Sequence, residues 1–482
     1  MVNPSVANRS RLRATAFAGL VIGAYIACYN GNIDGPLDLY HEGERLAMLD
    51  VYANGGLPFR DAHVPHGIGE DVLKPLLGRW LFGDSVASLR RMGQNSYVYR
   101  GLLPPLGAAA IVLAAAALTR RLWATLLTFL ILVLGWYEVS ERPALAMTVV
   151  AALGMFLHGR RPRWLFTAGI LAALGGLYSF ETGVYLAAAA PIWLILDAWL
   201  FQGTDARWQR LAAKRGAIFL GGAAIATAPF LIWCAWNGLI SDLIANLAHI
   251  FVLRTEIYPA SYPAIGWRAG EALLDNLLVS GLTLGVFYLL PVTYGIGLAA
   301  GLMARGDARA KSALVLAAIV GGFFWMTVLN RPDLWHAAYS VAGFALFAGA
   351  AVAYAIGSGS NKTKSDSPIP VVLPMPHITR RMSMFILICI LPSAVSLFRL
   401  GHGGAFGRQL SGVENPMLPA HLRADGRPMQ TSSIPRLAGL RIPVDQADTP
   451  EALVSHIQSR TSPDETILDL SDQGLLYYLA QR

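Results

Sequence analysis

Apolar residues fall in long blocks separated by short polar breaks, and a block of about 17 to 25 such residues is long enough to cross the hydrocarbon of a bilayer as a helix. Eleven segments meet that description, centred on residues 14–30, 101–118, 122–137, 143–158, 165–179, 183–201, 216–236, 273–302, 312–329, 337–357 and 383–399. Between 122 and 200 the breaks are only a few residues wide, so the boundaries there are soft. The pattern predicts an α-helical polytopic membrane protein of about eleven transmembrane helices.

Composition agrees. Of 482 residues, 55% are hydrophobic and 14% charged, with a mean hydropathy of +0.47, against roughly 25% charged in soluble proteins. This excludes a plain soluble enzyme, a disordered chain, a collagen-like fibre and a disulfide-stapled secreted domain. Cys28, Cys234 and Cys389 all lie in apolar runs and offer neither a disulfide framework nor a zinc spacing.

Charge then orients the chain, because cytoplasmic loops carry an excess of Lys and Arg. With the amino terminus inside, the cytoplasmic segments hold 19 Lys and Arg, and the four opposing short loops hold only Arg142, Arg254, Arg268 and Arg331. Acids sort the other way: 17 outside before the carboxyl-terminal tail, against Asp197, Asp205, Asp307 and Asp366 inside. The expected arrangement is a multi-pass membrane protein with a cytoplasmic amino terminus, an exoplasmic carboxyl terminus and any chemistry on the exoplasmic face. The net charge of +8 is accounted for by this topology and by membrane lipid headgroups, so no nucleic acid partner is expected. The basic start followed by an apolar run reads as an uncleaved anchor, since no small-x-small cleavage site precedes the polar loop.

Two exoplasmic regions are too large to be simple connections, the first loop at 31–100 and the tail at 401–482. The chain is therefore divided into a transmembrane part, 1–400, that includes the first loop, and a small α/β module, 401–482. In the module, Arg441 to Val444 and Thr466 to Leu470 have strand character, Thr449-Pro450-Glu451 opens a helix, and a second helix starts near Asp472. The module is small enough that it is expected to dock on the membrane part or to lack a piece.

Candidate chemistry concentrates in the first loop. Read as a helix from about 38 to 53 closed by Gly55-Gly56, the segment puts Leu39, Glu42, Leu46, Leu49 and Ala53 on one stripe. Glu42 is the only acid on that face, with Asp38 one turn before it and Arg45 nearly one turn after. One reading is a cap at Asp38 and a Glu42–Arg45 salt bridge; the other is a carboxylate against a partly dry surface, tuned for base work. Glu44 lies about 200° round, on the other face. Next, a loop fixed by Pro and Gly presents Arg60, Asp61, His63 and His66. It is either a hydrogen-bond network or, with Glu70 and Asp71, a divalent-cation site without specific spacing. Short outer turns add Glu141 and Arg142, Glu181, and Arg331, Asp333 and His336. The cations among these suit a phosphate at the membrane surface.

The succession Tyr40-His41-Glu42-Gly43-Glu44, Gly56-Leu57-Pro58-Phe59-Arg60-Asp61 and His66-Gly67 resembles the first-loop pattern of the GT-C class of polytopic glycosyltransferases. Arg331, Asp333 and His336 look like an Arg-x-Asp-x-x-His element of bacterial members, and Pro463 to Leu479 resembles their terminal module. The resemblance implies sugar transfer, in the bacterial inner membrane, from a polyprenyl-phosphate donor to an envelope glycan, lipid or protein acceptor. Glu42 matches the family's catalytic loop acid and Asp61 its downstream acid, while His41 stands where many members have Asp. On this reading Glu42, Asp38 and Asp61 are the catalytic candidates. His41, Glu44, Arg60, His66, Arg142, Glu181, Arg331, Asp333 and His336 would bind substrate, and a divalent cation is a possible cofactor. A polymerase or ligase of lipid-linked oligosaccharides, or a transporter or flippase, are the competing readings; no Lys or Arg falls at a bilayer midplane, which disfavours transport.

Overall fold

The computed structural model describes residues 4–29, 31–93, 101–135, 141–202, 207–250, 284–303, 307–330, 334–360, 428–462, 465 and 474–481. The chain starts with α1 (Pro4–Cys28). The first loop then folds into α2 (His41–Ala53), a π-helical turn (Ile68–Leu73), α3 (Lys74–Phe82) and α4 (Val86–Met92). A helical bundle follows: α5 (Pro104–Thr119), α6 (Leu122–Gly135), α7 (Arg142–Gly159), α8 (Pro162–Tyr178), α9 (Phe180–Gln202) and α10 (Arg207–Trp236), with the short α11 (Ile240–Ala248) leaving its end. After a π-helical turn (Leu284–Leu289) come α12 (Leu290–Met303), α13 (Ala308–Asn330) and α14 (Leu334–Ser360).

Ten of the eleven apolar segments coincide with described helices, and the one at 383–399 lies outside the described residues. Six helices are long and apolar enough to cross a membrane by themselves: those at Arg11–Cys28, Arg142–Gly159, Phe180–Gln202, Arg207–Trp236, Leu284–Met303 and Ala308–Thr327. Three more apolar helices are shorter. The described residues thus form the α-helical polytopic architecture expected, with several of its apolar helices short.

The bundle buries one continuous core contributed by α1, α5 to α10 and α12 to α14. Alanine makes up half or more of its α5 and α14 faces, as expected where helices associate in lipid by close backbone approach rather than by expelling water. The helix ends sort into two sets. One holds the starts of α7 and α9 and the end of α10, all bonded to the first loop, and the end of α8, packed against Gly67. The other joins the end of α7, the starts of α10 and α13 and the last turns of α9 through Asp197.

The described tail packs directly on the first loop. Strands β1 (Met429–Thr431) and β2 (Arg441–Pro443) form an antiparallel pair, followed by α15 (Val444–Arg460) and α16 (Leu475–Ala480). Leu37, Leu46, Leu49, Val86 and Leu89 of the loop and Ile434, Leu437, Ile442, Val454, Tyr478 and Leu479 of the tail share one apolar core. Arg436 pairs with both Asp50 and Asp84. At Gly43 the two regions meet so closely that a Cβ would overlap the backbone of Leu475. The predicted strand at Arg441 is present and the one at Thr466 to Leu470 lies outside the described residues. Helix α15 starts six residues before Pro450 rather than at it. Its earlier turns bury Ala447 on the face that Val454 continues, and that burial outweighs the lost amide of an internal proline.

Candidate functional site

Four segments of the loop meet at the bundle's loop end. Asp38 caps α2: its Oδ1 accepts the backbone N–H of Tyr40 (3.1 Å) and His41 (2.9 Å), and its Oδ2 lies 2.9 Å from His41 Nδ1. A carboxylate only accepts, so Nδ1 carries the proton and the lone pair of the neutral ring sits on Nε2. His41 is 38% exposed while Asp38 is buried. The same arrangement recurs at His66, whose Nδ1 lies 3.0 Å from Asp71 Oδ1 and whose side chain is 22% exposed. His66 is held from outside the loop as well: its carbonyl accepts from Phe180 N–H (2.7 Å), and a Cβ on Gly67 would overlap the carbonyl of Tyr178. Only glycine lets the loop press so close to the junction of α8 and α9.

Arg45 ties the two Asp–His pairs together. Its Nη1 donates to the His41 carbonyl (3.0 Å) and to Glu44 (3.3 Å), its Nη2 donates to Glu70 (2.8 Å), and its Nε lies 3.8 Å from Asp71. Arg142, at the first position of α7, makes a bidentate pair with Glu70 at 2.7 and 2.8 Å. Lys74 pairs with Glu141, which also accepts from Tyr178. Burial alone would raise the Glu70 carboxyl, but Arg142, His66, Arg45 and Lys74 around it hold it well below the usual carboxylate range. Asp71 is likewise lowered against its burial, by His66 and Arg45.

Glu42 is placed differently from both sequence readings. The stripe it belongs to faces α4 and the tail, so Glu42 is 0% exposed, and its partner is Arg90 of α4, not Arg45. Arg90 Nε donates to Oε1 (2.5 Å) and Nη2 to Oε2 (3.0 Å), while Oε2 also accepts the Asp38 N–H (3.1 Å). Burial pushes the Glu42 carboxyl up, with Arg90 pulling it back. Arg90 further donates to the carbonyls of Ile33, Gly35 and Pro36. The Glu42–Arg90 pair thus shapes the loop that carries Asp38 and His41.

The remaining candidates divide. Asp61 is exposed and caps its own turn through the Leu57 N–H (2.7 Å), and Arg60 crosses to Asp242 (3.0 Å) and to the carbonyl of Gly238 (2.7 Å). Glu44, on the other face of α2 from Glu42, accepts from Arg45 Nη1. Glu181 accepts from Tyr185 (2.8 Å) on α9. Arg331 and Asp333 lie outside the described residues, and His336 belongs to the first turn of α14. Sequence reasoning missed Arg90 and Lys74. Their only signal was a cation on a short helix among apolar neighbours, Val86, Ala87 and Leu89 in one case and Val72 and Leu76 in the other.

His66, Glu70 and Asp71 bring ligand atoms within 4.8 Å of one another, as a divalent cation would need. The donor set does not fit one. Both Glu70 oxygens take guanidinium protons, and the Asp71 oxygens take His66 Nδ1–H and the N–H groups of His66 and Gly67. A cation there would displace Arg45 and Arg142 and leave them buried without a counter-charge. The side chains of this cluster thus serve one another rather than a cation.

No protein-family model and no curated protein matches the chain. Among solved structures it is similar to ArnT from Cupriavidus metallidurans bound to undecaprenyl phosphate, at 14% identity and a TM-score of 0.43, over 97% of this chain and 84% of that one.

Proposed function

We propose that the chain is a membrane glycosyltransferase that moves a sugar from a polyprenyl-phosphate donor to a hydroxyl-bearing envelope acceptor on the exoplasmic face. The observation that carries the chemistry is the Asp38–His41 pair: a half-exposed imidazole at the start of α2, its tautomer fixed by a buried carboxylate. His41 Nε2 takes the proton of the acceptor hydroxyl as its oxygen attacks the anomeric carbon. The bond to the donor phosphate breaks in the same displacement, and the leaving phosphate needs no proton, so one base suffices for an inverting transfer. Arg142, with Arg331 and His336, meets the charge that develops on that phosphate. Asp71–His66 orients the sugar or acceptor, and the polyprenyl chain lies between spans. This moves the base from Glu42, whose oxygens are occupied by Arg90 and the Asp38 amide, to its neighbour.

Asp197 supports transfer over transport. It is the acid nearest a span interior, and it is held by Arg160, Arg215 and Ser312 at 2.5 to 2.8 Å rather than presented to a permeation path.

The test is transfer of radiolabelled sugar from polyprenyl phosphate in membranes carrying His41→Ala, Asp38→Asn or Arg142→Ala. A loss of about 100-fold or more is expected for His41→Ala at normal protein level. Normal transfer in all three variants overturns the assignment.

A further inference from the structure

At the bundle end opposite the first loop, Arg120, Arg309 and Lys311 form a cationic corner. Arg120 ends α5 in the left-handed region (φ 51°), and Arg309 and Lys311 lie in the first turn of α13. The end of α7 draws these elements together. His158 Nε2 donates to the Leu118 carbonyl of α5 (2.9 Å), and a Cβ on Gly154 would meet the Leu118 amide at 2.9 Å. Arg120, Arg309 and Asp307 all lie within electrostatic reach of His158. Arg120 and Arg309 are exposed and Lys311 is half-buried.

Among the described residues, none of the three has a carboxylate partner. Asp307 is taken up by the backbone, its Oδ1 accepting the Arg309 N–H (3.2 Å). Helix α13 has no acid in its first turn, and the helix dipole adds partial positive charge where Arg309 and Lys311 already stand. Partial burial and Arg309 beside it both lower the Arg120 guanidinium. At the same end Arg160 and Arg215 are answered by Asp197, so the corner differs from its surroundings in lacking a counter-charge of its own. Helix α7 is long enough to cross a membrane, which puts its end, and the corner with it, at the level of lipid headgroups. On α5, Leu106 and Leu113 are exposed to 44% and 41% and stand seven residues apart on one face, and Arg120 follows at the same interval. An apolar track thus leads along the outside of the bundle to the cations.

We propose that Arg120, Arg309 and Lys311 hold the headgroup phosphate of one anionic phospholipid, in the leaflet away from the first loop, with an acyl chain along Leu113 and Leu106. Three cations around one phosphodiester select a headgroup with net negative charge, because the ammonium of a zwitterionic lipid would be repelled by the cations left over. The phosphate also relieves the repulsion between Arg120 and Arg309, tying the end of α5 to the start of α13. The site stands on the fold alone and does not depend on which reaction the loop performs.

The test uses the full chain in detergent, with binding of phosphatidylglycerol read by native mass spectrometry against phosphatidylcholine. Preference for phosphatidylglycerol is expected, weakened about fivefold in Arg120→Gln and about twentyfold in Arg309→Gln/Lys311→Gln, as for cations removed from a membrane surface. The variant Arg161→Gln/Arg163→Gln removes two exposed cations of the same bundle end outside the corner, and its binding should stay within about twofold. Equal weakening in that variant would leave only the diffuse field of the basic face, and undiminished binding in both corner variants would mean that another segment or a second copy fills the corner; either overturns the proposal. Thermal midpoints separate the sources of phosphate. Phosphatidylglycerol should raise the midpoint of the unaltered protein and not that of Arg309→Gln/Lys311→Gln, because a ligand stabilises only the state that binds it. Inorganic phosphate at the same concentration should leave the midpoint unchanged, and an equal rise with it would make the corner a site for a soluble anion and overturn the lipid assignment.

Discussion

Removing one partner of a fully buried ion pair strands the other charge where water cannot reach it, at a cost of about 3–5 kcal/mol. Arg90→Ala and Glu42→Ala should both destabilise the fold by that order, measured as a fall in thermal midpoint, because the pair has no exposed atom on either side. His41→Ala, at a half-exposed position, should leave the midpoint within about 1 kcal/mol while removing transfer. The contrast separates a residue that shapes the loop from one that reacts.

Acid response follows from the same charges, with opposite signs. Glu70 and Asp71 are held below their ordinary values of 4.5 and 3.8. Their contribution is complete above those values and is lost as pH falls through the lower folded ones. Glu42 is raised from 4.5, so what it contributes is present below 4.5 and lost as pH rises through its folded value. Unfolding midpoints followed from neutral pH to about 3 should therefore show an acid loss that Glu70→Gln flattens and Glu42→Gln leaves in place.

At the scale of elements, the first loop is held from one side by the tail and from the other by the junction of α8 and α9. Gly43→Val forces a side chain into the backbone of Leu475, an overpacking worth about 1–3 kcal/mol. It should release α16, and limited proteolysis should cut the tail faster while the bundle helices stay protected. The α2 stripe and its cap at Asp38 were legible in the sequence, since both depend on spacings of three and four. What covers the stripe was not. Arg90 lies 48 residues from Glu42 and Arg436 lies 386 from Asp50, and periodicity carries no information about which distant surface closes over an apolar face. Glu42 therefore read as a tunable acid although its face is sealed.

For the whole molecule, loop charges predict bases at one end of the bundle and acids at the other. Asp197 is one of the four acids expected among those bases, and its position is explained only in three dimensions. Arg160 and Arg215, from the end of α7 and the start of α10, converge on its two oxygens, and Ser312 of α13 completes the set. One carboxylate thus neutralises cations from two helices at the end of the bundle opposite the first loop. Asp197→Ala leaves two guanidinium groups facing each other with no counter-charge, so the expected cost is about 3–5 kcal/mol, seen as lower yield and thermal midpoint. Sugar transfer per folded molecule should stay within about twofold, since no atom of this cluster reaches the loop end. Loss of transfer without loss of stability would instead make Asp197 part of a path through the membrane, and the transport reading would then gain what the transfer reading loses.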